Sequence, residues 1–140
     1  VPSFSRATDR HLATIDHRLA AVVREAIRRA PLRIVVTEGR RDPAMHAALM
    51  QLAGVRSWQS PHCDGLGVRL AVIVERRERT DLMLLFRAAE AMRDAAMALG
   101  TDVRWCWNWR PLADLPAAID YRVAPASAWP DAQGFVLAGG

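Results

Sequence analysis

The residues best suited to chemistry stand in one stretch, Ser60-Pro61-His62-Cys63-Asp64-Gly65-Leu66-Gly67-Val68-Arg69-Leu70. It offers an imidazole, a thiol and a carboxylate in consecutive positions, all of them metal-ligand types. His46 and Cys106 are further donors, but the spacing of His46, Cys63, Asp64 and Cys106 matches no metal-binding pattern. A histidine standing alone in such a loop is more often a hydrogen-bonded side chain than a ligand. Nucleophilic catalysis is poorly served, because Ser57 and Ser60 lack the strand-to-helix elbow that exposes a reactive serine. No Gly-rich loop is present to cradle phosphate. The two cysteines, Cys63 and Cys106, make no disulfide framework, and free thiols in a reducing compartment are expected.

Holding these groups in place requires a framework, and the hydrophobic pattern supplies one. The chain has 140 residues, 51% hydrophobic and 24% charged, which excludes a disordered tail or a fibre. Leu19, Val22, Val23, Ala26 and Ile27 form a helical stripe over 16–30, with Asp16 as N-cap and Pro31 as the stop. A buried strand is predicted over 33–37, then a helix opening at Asp42-Pro43 and ending before Gly54. Loop residues 55–67 lead into a strand over 68–74, apolar except for Arg69. Thr80 or Asp81 caps a long helix that runs to Leu99 and is ended by Gly100. Strands follow over 103–107 and 134–137, while 110–130, rich in Pro and Ala, gives a weak signal. Trp105, Trp107 and Trp109 alternate along the first of these, so all three should share a face. Core packing is the first reading of that face, and a platform for glycan or peptide the second. One α+β domain over 1–140 results, its helices packed on a small, mainly antiparallel sheet.

Charge narrows the classes further. Every one of the 19 basic residues is Arg and none is Lys, with a net charge of +4. The arginines are dispersed, and Arg76, Arg77 and Arg79 are interleaved with Glu75 and Glu78, which reads as a solvated turn with local ion pairs. Genome composition accounts for the bias, and no nucleic-acid-binding signature accompanies it. No apolar run reaches the ~20 residues of a membrane span. No secretory signal opens the chain, so synthesis in the cytoplasm is expected.

Several segments, in order, carry a resemblance. Ser60-x-His62-x-x-Gly65 before a strand is one. The others are Phe4-Ser5 with Arg10-His11-Leu12, Thr37-Glu38-Gly39-Arg40-Arg41, Leu99-Gly100 with Arg104-Trp105-Cys106-Trp107-Asn108-Trp109, and Asp131-Ala132-Gln133-Gly134-Phe135-Val136-Leu137. Together they resemble the zinc D-Ala-D-Ala carboxypeptidases and L-alanyl-D-glutamate endopeptidases, a group that includes many phage endolysins. The resemblance implies that fold over nearly the whole chain. It places Arg41 and Ser60 at substrate-binding positions, His62 at a zinc ligand and Asp131 at the catalytic acid/base. His46 stands where the group commonly has Gln.

Departures from the group's pattern outweigh the matches. Arg69 replaces the Asp ligand, and Gly134 replaces the second His ligand. A catalytic zinc needs three protein ligands and an open position for water, and a guanidinium near its place opposes a dication. Cys106 and Trp107 replace two glycines beside the cleft, and the indole is expected to fill substrate space. A pseudoenzyme is therefore expected, with no cofactor, in which Arg69 reaches Asp131 or Asp64 and supplies the charge that zinc would supply. Such a domain would serve as a structural or binding module, with peptidoglycan or other virion proteins as partners in a phage particle or prophage product. An active zinc endopeptidase with relocated ligands is the alternative.

Overall fold

Helix boundaries fall where local hydrogen bonding sets them, in a computed structural model that describes residues 5–40, 42, 44, 47–48, 51, 65–120, 122 and 131–138. Helix α1 (Arg6–Leu12) starts at Ser5, whose hydroxyl accepts from the Thr8 amide at 3.0 Å. Helix α2 (His17–Arg29) starts at Asp16, whose carboxylate accepts from the Arg18 amide at 2.8 Å. Helix α3 (Leu82–Leu99) has Asp81 at its N-cap position, but that carboxylate pairs with Arg79 instead of capping. It ends at Gly100, left-handed at φ 65°. The sequence pattern misses α1, whose seven residues bury only Thr8 and Leu12 and so present no stripe. At the predicted Asp42 start, the carboxylate accepts from the Ala44 amide at 3.0 Å, and Ala44, Ala47, Ala48 and Gln51 are helical. No helix among the described residues is long and apolar enough to cross a membrane.

Among the described residues six strands form one sheet: β1 (Arg33–Glu38), β2 (Gly67–Val74), β3 (Arg77–Arg79), β4 (Val103–Trp105), β5 (Arg110–Pro111) and β6 (Gly134–Leu137). Their order is β1-β2-β6-β4-β5, and every pairing is antiparallel. Eight-residue β2 organises the rest. One edge takes β1; along the other, Gly67–Arg69 pair with β6 and Val72–Val74 with β3. β6, late in the chain, thus enters the middle of the sheet between β2 and β4. Ile34, Val36, Val68, Leu70 and Val72 point to the side where α2 and α3 bury Val22, Val23, Ala26, Ala88, Ala89 and Met92. The outer edge of β1 is covered by α1: the Thr8 hydroxyl, buried, accepts from the Val36 amide at 3.1 Å.

Two expectations need correction. The strand predicted over 103–107 stops at Trp105, because Trp109, left-handed at φ 57°, turns the chain and donates its amide to the Trp105 carbonyl at 2.8 Å. The three indoles therefore do not alternate along one strand. The turn predicted around Arg76–Arg79 is a hairpin whose second arm, β3, is exposed throughout. The weak stretch after 110 opens with β5 and a 3-10 turn at Leu112–Asp114, which buries Leu112.

Candidate functional site

Three elements converge on one polar cluster. Arg69 on β2 stands opposite Gly134 on β6. Cys106 lies one residue beyond β4, and its amide donates to the Gly134 carbonyl at 2.9 Å. Asp131 lies ahead of β6, tied down by its amide to the Cys106 carbonyl at 3.1 Å and by its carbonyl to the Gly134 amide at 3.2 Å. The antiparallel register of β2, β6 and β4 thus assembles groups that are up to 65 residues apart in sequence.

Arg69 is the hub. Its Nη2 donates to Asp131 Oδ1 at 3.3 Å and to Gln133 Oε1 at 2.8 Å. Its Nε lies 3.2 Å from Asp131 Oδ2, close enough for strong attraction, yet it is buried and not aligned for a hydrogen bond. The contact is thus coulombic on one side of the fork and hydrogen-bonded on the other. Gln133 completes the cluster: Asp131 Oδ1 accepts from its amide at 3.1 Å, and its Nε2 donates to the Leu70 carbonyl at 3.0 Å. The side chains of Arg69 and Asp131 are 31% and 33% exposed, so the pair is shielded without being sealed.

Gly134 sits in a tight space. A Cβ there would stand 3.0 Å from Asp131 Oδ2 and 3.1 Å from both Cβ and Sγ of Cys106. Any larger side chain requires Cys106 or Asp131 to move. Burial pushes the Cys106 thiol well above its ordinary range, Asp131 adds to the rise, and Arg69 opposes it. Cys106 is a free, buried thiol, held in its unreactive protonated form.

Trp105 anchors the cluster from beneath. Fully buried, it donates Nε1 to the Ala132 carbonyl at 2.7 Å and stacks on Phe135 with centroids 6.4 Å apart. Trp107 packs on it at 5.2 Å, half-buried against the core. Arg104 closes the following turn by donating to the Trp109 carbonyl at 2.9 Å.

Of the residues singled out in the sequence, Arg69, Asp131, Gly134 and Cys106 come together here. Arg41, His46, Ser60, His62, Cys63 and Asp64 lie outside the described residues. Gln133 escapes a reading of the sequence, since a glutamine two residues after an aspartate signals nothing by itself. Only the register of β2 against β6 gives it Arg69 as a partner.

The described donor set does not fit a zinc ion. Arg69 is a cation, Gly134 offers no side chain, and the Cys106 thiol beside them is protonated. Among the described residues no group of three His, Cys, Asp or Glu side chains could hold a metal.

No family model and no curated protein sequence matches the chain. In three dimensions it is similar to the crystal structure of Serratia marcescens L-Ala D-Glu endopeptidase ChiX. The TM-score is 0.77 at 21% identity, over 96% of this chain and 88% of that one. At that identity the likeness is one of fold: an α+β arrangement of helices packed on a mostly antiparallel sheet, shared with a peptidase.

Proposed function

We propose that this domain uses a peptidase-like fold without zinc hydrolysis and acts as a binding module for peptidoglycan. The observation that carries the reading is the Arg69–Asp131 pair, 3.2 Å apart, at the place where the resembled motif calls for a zinc ligand and an acid/base. A permanently charged guanidinium there repels a dication, and it engages the carboxylate that would otherwise exchange protons with substrate. Gly134 adds no donor, and restoring one meets Cys106. Peptidoglycan as the ligand is supported by the resemblance and by the likeness to an endopeptidase fold. The endolysin side of the resemblance points to a phage particle as the setting, where the protein should occur at a fixed copy number.

The test combines metal analysis of purified protein, a muropeptide cleavage assay with and without added zinc, and co-sedimentation with purified peptidoglycan. Expected are no stoichiometric zinc, no cleavage, and co-sedimentation that a soluble muropeptide competes away. Zinc at one equivalent, bound through His62 and supporting turnover that a chelator abolishes, would overturn the reading.

A further inference from the structure

We infer that the sheet face bearing Arg69 carries a second, separate site, built to take the carboxylate end of a short apolar peptide. A cavity of about 330 Å³ opens there over Val35 and Ile73, flanked by Arg33, Arg76, Glu78 and Ser5. The register explains how these residues meet. Ile73 stands opposite Arg33 on β1 and Glu78 on β3, so all three share one face of the sheet. Arg69, four residues earlier on β2, shares that face but lies about 13 Å away along the strand. The inference goes beyond the function proposed above and rests on different residues.

The charges around the cavity are unbalanced. Many of the described arginines lie against a nearby carboxylate, as Arg18 does on Asp16, Arg28 and Arg29 on Glu25, and Arg79 on Asp81. Arg33 and Arg76 have no ion-pair partner among the described residues, and neither is paired with Glu78. Two guanidiniums against one carboxylate leave surplus positive charge beside an apolar floor. A planar guanidinium fork fits a carboxylate through two parallel hydrogen bonds, and the floor suits the aliphatic side chain beside it. Glu78 stands across β2 from Arg33, two strand spacings of roughly 4.8 Å each, within reach of a backbone amide of the same peptide.

Backbone conformation is an independent observation. Glu75 and Arg76 form the two-residue turn between Val74 and Arg77, at φ 52° and 67°. Turns with both central residues left-handed strongly favour Asn-Gly. An arginine retained in that conformation, with its side chain lining a cavity, is a strained residue whose use lies in the side chain.

The same strain provides a clean test, because Arg76→Gly removes the guanidinium and relaxes the turn. N-acetyl-alanyl-leucine, its C-terminal amide and inorganic phosphate are titrated into the wild type, R76G, R33Q and R87Q, following the Val35 and Ile73 methyl resonances. Saturable shifts are expected with the free acid. Binding should be weaker by about fivefold or more for the amide, for phosphate, and for the acid with R33Q or R76G, the loss of one charge-assisted hydrogen-bond pair. R76G should melt no lower than the wild type, and R87Q, which removes an exposed arginine of α3 remote from the cavity, should bind the acid unchanged. Failure to saturate, equal affinity for the amide or for phosphate, or undiminished binding by R76G would overturn the assignment.

Discussion

Asp131 is held by two guanidinium nitrogens and the Gln133 backbone amide. Removing it leaves a two-thirds-buried Arg69 with Gln133 as its remaining side-chain acceptor. Asp131→Ala is therefore expected to destabilise the fold by about 1–3 kcal/mol, read from the urea midpoint. The double variant Arg69→Met/Asp131→Leu should recover much of that loss, since an apolar pair leaves no charge stranded. Additive losses in the cycle would show that the two residues act separately. At this scale the sequence was partly legible. The strand pattern marks Arg69 only as an exception among apolar residues; the resemblance, which sets Arg69 at a zinc-ligand position and Asp131 at the acid/base, is what offers Asp131 or Asp64 as its partner. The reason for Gly134 was not legible, because it depends on Cys106, 28 positions earlier, filling the space a Cβ would need.

Elements whose ends are fixed by local chemistry were read well. Asp16 caps α2, and Gly100 terminates α3 with its left-handed backbone. Gly100 has nothing within 4 Å of where a Cβ would stand, so its constraint is conformational alone. Gly100→Ala is expected to lower stability by about 1 kcal/mol, with no change of packing, checked by thermal unfolding and by unchanged core methyl spectra. Gly39 is the opposite case, its Cβ position lying 2.4 Å from the His11 carbonyl oxygen, so there the neighbouring helix imposes the glycine. The elements misread were those that tertiary contacts define. α1 exists because Thr8 is needed at the edge of β1. β4 ends early because the Trp109 turn sends the chain back as β5. Alternating tryptophans look like a strand whatever the chain does next.

Across the whole molecule, the absence of lysine gains a use. Arginines remain charged at any pH at which the protein folds, so few groups titrate in the alkaline range. Burial keeps the Cys106 proton on in the folded state, whereas the unfolded thiol loses it near pH 8.5. The native state then binds more protons than the unfolded one, so stability should fall as pH rises past about 8.5, by up to about 1.4 kcal/mol per pH unit. Cys106→Ala should remove that part of the slope, measured as the difference between the two proteins' denaturant midpoints from pH 7 to 10. The order of strands along the chain has a different consequence. β6 fills the gap between β2 and β4, so during synthesis both strands wait with bare backbone edges until residues 134–137 emerge. The polar cluster closes in the same event, because Asp131, Gln133 and Gly134 arrive with that strand. A nascent chain stalled before this point would present two adhesive edges and an unneutralised Arg69, a state that calls for chaperone shielding.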